Sequence, residues 1–158
     1  MHRNRRPARP LTASAVVRGR ADSVFAFLAD LDNHLLFHDR HIRIVELAGE
    51  PGQRHGGRVR LRGPLGLRRF AHTQVTHRQP PHLMTGLARI GERTVAHVRW
   101  ALHPDGEHTR IELSTTITSA GLVDRALLAL GGKLWLRRRI CATLATLAAT
   151  ATLTDVAA

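Results

Sequence analysis

Strand signals fill the middle of this 158-residue chain, between a short amphipathic segment near its start and a long helical stretch at its end. Over residues 57–62, Val59 and Leu61 face one side of a predicted strand and the three arginines between and beside them face the other. Residues 109–118 alternate in the same way, and Pro-Pro, Gly-Glu and Asp-Gly pairs mark turns between such runs. Regular strands joined by short turns predict an antiparallel meander.

Helical patterns flank this meander. A strand over residues 13–20 is expected to run into a helix over residues 21–30, capped by Asp22 or Ser23. A second short helix is predicted over residues 32–39, and a long one from Leu122 to Leu153, which Gly131-Gly132 should bend or interrupt. The face of the long helix expected to lie on the sheet is formed by Leu127, Leu130, Leu134, Cys141, Leu144 and Ala148.

The chain length fits one domain. We expect a basic disordered tail over residues 1–11, a ligand-binding domain over residues 12–153 and a short tail over residues 154–158. The single cysteine, Cys141, excludes an intramolecular disulfide and a cysteine-based zinc site. Neither a secretory signal nor an apolar run of transmembrane length is present, which predicts a cytoplasmic protein.

The formal net charge of +12 comes almost entirely from arginine, since Lys133 is the only lysine. Charge of this size favours anionic partners such as a membrane surface, a nucleic acid or an acidic carrier protein. The few aromatic residues lie among apolar positions, and no reading helix is recognisable. These two features argue against a nucleic-acid-binding module.

Three passages of the sequence carry a resemblance to a known family. They are SAVVRGRADSVFAFLADLDNH, with its strand and first helix, VTHRQPPHLMTG, with its turn after the fourth strand, and ALHPDGEHTRIELSTTIT, with its Pro-Asp-Gly turn and final strand. Over about residues 12–150 the chain resembles the START-like (SRPBCC) superfamily, which includes polyketide cyclases and lipid or quinone carriers. The resemblance implies an α+β helix-grip fold, in which a curved antiparallel sheet of about seven strands, two short helices and a long C-terminal helix enclose an apolar pocket. The resemblance says less about activity, because members of the superfamily have many different activities.

A cavity is expected because the concave sheet face and the long helix cannot meet everywhere. The alternative is a fully packed core. By alternation, the strand residues lining the cavity are Val59, Leu61, Val98, Trp100, Leu102, Leu113, Thr115 and Ile117. The family register adds Thr73, Val75, Leu83, Thr85, Leu87 and Arg89. The mouth is assigned to Phe27, Leu35, Leu36 and Phe37, and the cover to Leu130, Leu134 and Leu144.

Polar residues near this cavity are the candidates for chemistry. His38 at the mouth could transfer a proton to or from an enolisable ligand, and Asp39 could orient it or cap a turn. Arg89 on an apolar wall would need an anionic or carbonyl partner, unless it extends to water. Thr73 and Gln74 could donate hydrogen bonds to a ligand carbonyl.

No metal or other cofactor is predicted. Although the chain has eleven histidines, His34 and His38 form the only pair at helical i, i+4 spacing, and no third ligand is obvious beyond Asp39 and His41. Aromatase/cyclases of the superfamily use an inward arginine on the fourth strand and a tyrosine after the second helix. The matching places here hold Gln74, or Arg69, and Arg40, and the chain has no tyrosine.

Two functions remain open from the sequence. In the first, the protein is a cyclase- or dehydratase-like enzyme of secondary metabolism acting on a carbonyl-rich polyketide-like substrate, with His38 and Arg89 as its catalytic groups. In the second, it is a non-catalytic carrier of a lipid, quinone or polyketide. Its cationic surface would then dock on an anionic membrane or an acyl carrier protein. A monomer and a homodimer are both compatible with the sequence.

Overall fold

The computed structural model describes residues 9–37, 39–63 and 66–156, which form seven strands and several helices. The strands are β1 (Leu11–Arg18), β2 (Ile42–Ala48), β3 (Gly56–Arg62), β4 (Arg68–Gln79), β5 (Leu83–Ile90), β6 (Thr94–Asp105) and β7 (His108–Ser119). The helices are α1 (Ala21–Ala29), a 3₁₀ helix (Leu31–Phe37), α2 (Leu122–Leu127), a π-helical turn (Leu128–Gly132) and α3 (Lys133–Val156). The predicted α+β element order is confirmed.

All seven strands belong to one antiparallel sheet, in the order β1-β7-β6-β5-β4-β3-β2. From β2 to β7 each strand pairs with the next in sequence, which is the predicted meander, and β1 pairs with β7 at the other edge. Register shifts in β2, β4 and β6 introduce local bends and extra twist. The sheet therefore has an inner face, on which the helices pack, and an outer face.

The first helical region differs from its prediction at the start of α1. The residue before α1 is Arg20, and no side chain caps the helix. Asp22 lies in the first turn instead, where a carboxylate interacts favourably with the helix dipole. Val24, Phe25 and Leu28 are buried, as their spacing indicates, so the apolar face of α1 joins the core.

The C-terminal helical region is interrupted where the two glycines predict it. Gly131 has a φ of +106°, and Leu130 has a ψ of 21°, so the backbone leaves helical geometry between α2 and α3. Because of this break, the apolar spacing cannot be continued in phase from one helix into the other. The side chains of α3 that pack in the core are Leu136, Ile140, Leu144, Leu147 and Ala148.

The predicted sheet-facing side of the long helix is therefore wrong at three positions. Leu130 is 83% exposed, Leu134 is 55% exposed, and Cys141 is also exposed. Leu144 is buried, in agreement with its prediction. β1 begins at Leu11 and α3 ends at Val156, so both elements extend slightly beyond the predicted domain of residues 12–153. No described helix is both long and apolar enough to cross a membrane.

Candidate functional site

A cavity of about 290 Å³ lies between the inner face of the sheet, the 3₁₀ helix and α3. This volume is at the lower end of the range of about 300–1,000 Å³ that is typical of small-molecule sites. Many predicted lining residues border it, and they are Phe37, Val59, Thr73, Gln74, Val75, Thr85, Leu87, Val98, Trp100, Leu113 and Thr115. Their role in binding a ligand stays a prediction.

Several residues assigned to the pocket lie outside its lining. Phe27 packs against the core, and Leu61 lies on the inner face opposite Arg69. Leu35 and Leu36 are exposed on the 3₁₀ helix. Leu130 and Leu134, the predicted cover, lie at and beyond the break before α3 and point to solvent. The residues of α3 that line the cavity are Leu136, Arg139, Ile140 and Thr143.

The predicted register of β5 is wrong by one residue. Met84 pairs with Trp100 and Ala88 with Thr73, so Met84, Gly86, Ala88 and Ile90 share the inner face. Arg89 therefore lies on the outer face opposite His72, and it is exposed. The prediction that Arg89 points into the cavity is wrong, because alternation places it on the side of the sheet away from α3.

Glycines leave part of the cavity wall without side chains. Gly57 and Gly86 line the cavity, and the strands approach so closely that a Cβ on Gly57 would lie 2.2 Å from the carbonyl oxygen of Glu46. A Cβ on Gly86 would lie 2.8 Å from the carbonyl oxygen of Gln74. Gln74 and Leu87 alternate onto the outer face of the sheet. They still border the cavity because the neighbouring glycines have no side chains.

The first predicted catalytic residue, His38, lies outside the described residues. Its neighbour Asp39 accepts hydrogen bonds at Oδ1 from the backbone N–H groups of His41 (2.6 Å) and Ile42 (2.7 Å). This is the turn-capping role that the sequence left open for Asp39. Partial burial acts to raise the pKa of Asp39, but these two hydrogen bonds and the nearby Arg139 together lower it.

Arg139 brings a positive charge to the cavity from α3. Its Nη1 donates to Oδ2 of Asp39 at 3.1 Å, and its side chain is 23% exposed. The Nε of Arg139 is buried and has no hydrogen-bond partner within the described residues. A buried N–H group without a partner is unfavourable, but this nitrogen has almost no accessible surface, so a ligand in the cavity can meet only the exposed part of the Arg139 side chain.

His34 is the other ionisable residue that lines the cavity. Its Nε2 lies 2.8 Å from the carbonyl oxygen of Leu28, and a carbonyl only accepts, so Nε2 carries the proton. The ring makes edge contacts with Phe37 and Trp100, at centroid distances of 5.4 and 6.3 Å. Burial in these surroundings lowers the pKa of His34, although the bond to Leu28 and the charge of Asp30 act to raise it.

The neutral His34 ring therefore has a lone pair on Nδ1. No hydrogen bond between described residues uses this nitrogen. His34 and Arg139 were both absent from the predicted catalytic set. The helical spacing of Leu136, Arg139, Ile140 and Thr143 could have indicated Arg139, but nothing in the sequence separates His34 from the ten other histidines.

The positions compared with the aromatase/cyclase pattern do not form a catalytic pair. Arg69 donates from Nη2 to Oδ2 of Asp124 at 3.0 Å, and Thr94 donates to the same oxygen, away from the residues that line the cavity. Arg40 is exposed and donates to Nε2 of His41. Within the described ranges, no group of three or more His, Cys, Asp or Glu side chains is placed to hold a metal ion.

Solved structures with the same fold are numerous, and three illustrate the range. A protein from Thermus thermophilus has a TM-score of 0.70 and 15% identity, with 92% of this chain and 99% of that chain covered. A START superfamily protein from Mycobacterium smegmatis has a TM-score of 0.54 and 12% identity, with 82% and 94% covered. DynU16, a protein of the dynemicin biosynthetic locus, has a TM-score of 0.53 and 18% identity, with 89% and 48% covered. At these identities the likeness concerns the fold, and it confirms the helix-grip prediction.

A sequence comparison reaches the same result. The family model described as polyketide cyclase / dehydrase and lipid transport matches residues 9–152. Comparison with curated proteins finds no significant match. The resemblance inferred from three short passages is thus confirmed over nearly the whole chain.

Proposed function

This chain belongs to the polyketide cyclase / dehydrase and lipid transport family, whose fold binds hydrophobic ligands, and from that premise we propose that it is an enzyme. Its reaction is a dehydration or cyclisation of an apolar, carbonyl-bearing molecule of the polyketide type, held in the cavity. The supporting observation is His34, a half-buried histidine on the cavity wall, whose pKa is lowered by desolvation and whose Nδ1 has no hydrogen-bond partner among the described residues. Arg89 lies on the outer face and is excluded from this role, whereas the role that the sequence suggested for His38 stays a prediction.

His34 is suited to be a general base. Its Nε2–H bond to Leu28 fixes both the tautomer and the orientation of the ring. Because burial lowers its pKa, the ring stays neutral at physiological pH and can accept a proton. A base in contact with Trp100 and Phe37 also works in a site of low polarity, where charge interactions are stronger than in water.

Arg139 is suited to stabilise the oxygen on which negative charge develops. Its guanidinium group is held by Asp39 through Nη1, and the exposed part of the side chain can donate to a ligand carbonyl in the cavity. Charge-assisted hydrogen bonds of this kind stabilise an enolate more than the neutral ketone.

For a β-hydroxy carbonyl ligand, the steps balance as follows. Nδ1 of His34 removes a proton from the carbon between the two oxygen functions, and the electron pair moves to the carbonyl oxygen beside Arg139. The pair returns to form the carbon–carbon double bond as the C–O bond of the hydroxyl group breaks. The proton on Nδ1 goes to the departing oxygen, so one water is released and His34 is neutral again.

A carrier function is the second candidate, because most of the cavity wall is apolar. Side chains such as Leu31, Val59, Val98, Leu113 and Ile140 make up much of the lining. A protein that only shields a lipid, quinone or polyketide needs such walls and no base. The polar groups at His34 and Arg139 would then only orient the ligand.

The first test is dehydration of a β-hydroxy ketone that carries one phenyl ring, followed by the absorbance of the conjugated product. His34→Gln keeps a donor for the Leu28 carbonyl but removes the base. We expect kcat to fall by about 10²-fold or more, with KM little changed. Arg139→Gln should lower kcat as well.

The matched control is His72→Gln, an exposed histidine on the outer face of β4, which should leave kcat unchanged. If His34→Gln retained full activity, the catalytic role of His34 would be wrong. A wild-type protein that binds the ketone without converting it would support the carrier instead.

A further inference from the structure

A separate depression of about 210 Å³ lies at one corner of the sheet. It is found where β2 begins, β3 ends and β4 begins, and its lining is almost entirely basic. We call it the arginine depression, and its residues are Arg40, Arg43, Arg60, Arg62 and Arg68, together with Asp39 and His41.

Cross-strand register brings these arginines together in pairs. Arg43 lies directly opposite Arg60 on β2 and β3, and Arg62 lies directly opposite Arg68 on β3 and β4. Like charges in directly opposed positions destabilise a sheet. The ion pairs between described residues include none of these four side chains. All four side chains are exposed, so water weakens their mutual repulsion, and an anion bound between them would weaken it further.

The two other residues of the arginine depression are already engaged. Asp39 accepts hydrogen bonds at both carboxylate oxygens, from two backbone N–H groups and from Arg139. His41 accepts from Nε of Arg40 at 2.9 Å and uses Nδ1 to donate to the carbonyl oxygen of Arg62 at 3.3 Å. The single carboxylate is thus compensated elsewhere, and the guanidinium groups of Arg43, Arg60, Arg62 and Arg68 remain to face an anion.

We propose that the arginine depression binds the phosphoryl group of a phosphorylated small molecule. Guanidinium groups bind phosphate through paired N–H donors, and several of them around one concave surface suit an anion with more than one charge. The depression has room for a mono- or diphosphate. Phe70, the exposed aromatic residue opposite Arg60, has the Arg58 guanidinium 4.5 Å from its ring centre, so one ring face is occupied and stacking of nucleic-acid bases is not favoured.

One ion pair links the arginine depression to the cavity, although the paired arginines lie on the outer face of the sheet and the cavity lies on the inner face. Asp39 lines the depression and binds Arg139, and Arg139 lines the cavity. The phosphoryl group belongs either to a ligand whose apolar part occupies the cavity or to a separate phosphate, and the second experiment below distinguishes the two sources. Binding at the depression does not require that the proposed dehydration occurs.

The first experiment titrates inorganic pyrophosphate into the full chain by isothermal calorimetry. Arg60→Gln should weaken binding about tenfold, because it removes charge-assisted hydrogen bonds to the anion. The control is Arg110→Gln, which removes the same charge from an exposed position on β7 and should change the affinity less than about twofold. Thermal unfolding should confirm that both variants are folded.

The second experiment identifies the source of the phosphoryl group with octyl phosphate. The phosphoryl group belongs to the cavity ligand if two results are obtained. Octyl phosphate must bind more tightly than inorganic phosphate, and the cavity-filling Val98→Trp variant must remove that difference while it still binds pyrophosphate. Equal affinities for the two phosphates would assign the depression to a separate phosphate.

The proposal is overturned if pyrophosphate does not bind, or if Arg60→Gln and Arg110→Gln weaken the binding of pyrophosphate equally. Equal weakening would mean an adventitious ion only, attracted by the net charge of the chain. Because neither Arg60 nor Arg110 lines the cavity, these outcomes are independent of the result obtained with His34→Gln.

Discussion

At the scale of single residues, burial decides which ionisable groups can do chemistry. His34 and Asp39 are the two described residues whose pKa values are clearly shifted, and both shifts are downward. For His34 the cause is loss of hydration, which favours the neutral ring. For Asp39 the cause is hydrogen bonding and the charge of Arg139, which favour the carboxylate and outweigh burial. Both groups are thus held in the protonation state that the proposed reaction requires.

The lowered pKa of His34 predicts how stability depends on pH. Below about pH 6.5 the unfolded chain binds a proton on His34 while the native ring stays neutral. The free energy of unfolding should therefore decrease as the pH falls from about 6.5 towards the native pKa, and this contribution should be constant above about pH 6.5. Urea unfolding at a series of pH values measures the effect.

The free energy of unfolding of His34→Gln is subtracted from that of the wild type at each pH. The difference isolates the contribution of His34 from those of the ten other histidines. We expect the wild type to lose stability relative to the variant on acidification. A difference that stays flat or changes in the opposite direction would show that burial does not hold His34 neutral.

At the scale of elements, the break between α2 and α3 determines which side of the last helix is buried. Gly131 takes a positive φ that glycine adopts readily, and the phase of the helix is reset there. The side that contacts the sheet is then set by Leu136, Ile140, Leu144 and Leu147. The same phase carries Arg139 and Thr143 to the cavity, so the break also positions part of the site.

A matched pair of leucines tests this assignment. Leu144→Ala removes a side chain that is 1% exposed and should decrease the free energy of unfolding by about 2–5 kcal/mol. Leu130→Ala removes one that is 83% exposed and should change it by about 0.5 kcal/mol or less. Chemical denaturation of both variants gives the two values. Comparable losses at both positions would place the buried side of the helix where the sequence pattern predicted it.

At the scale of the whole molecule, the cavity exists because the sheet and α3 do not pack closely along their full length. The core lies where α1 and α3 meet the inner face, and it includes Leu28, Ile111, Leu144 and Leu147. Beside it the wall of the cavity has glycines and small residues such as Gly57, Gly86 and Ala88. These positions keep space open that larger side chains would fill.

Filling this space tests the cavity against a packed core. Val98→Trp should decrease binding of the apolar fluorophore anilinonaphthalene sulfonate by at least about tenfold, because the indole would occupy ligand volume. Stability should change little, since the added atoms enter empty space. In a packed core the same substitution would instead destabilise the protein by about 1–3 kcal/mol, and the wild type would not bind the fluorophore. Fluorescence titration and thermal unfolding provide both readouts.

The sequence was sufficient to predict which side chains face the cavity on strands that have one buried face. Val59, Val98, Trp100, Leu113 and Thr115 all border the cavity as alternation predicted, because a shift of one residue would expose an entire apolar set. It was misleading on β5, where the family register placed Leu83, Thr85, Leu87 and Arg89 on the inner face. The side chains that lie there are those of Met84, Gly86, Ala88 and Ile90.

The sequence by itself thus determined the order of the elements, the antiparallel meander and most of the strand registers, since these follow from local periodicity and turn residues. The tertiary structure alone decided the phase of α3 and the identity of the polar groups at the cavity. Asp39 and Arg139 are 100 residues apart in the chain, and His34 is distinguished from the other described histidines by its position on the cavity wall beside Trp100. Both depend on long-range packing, which local patterns do not encode.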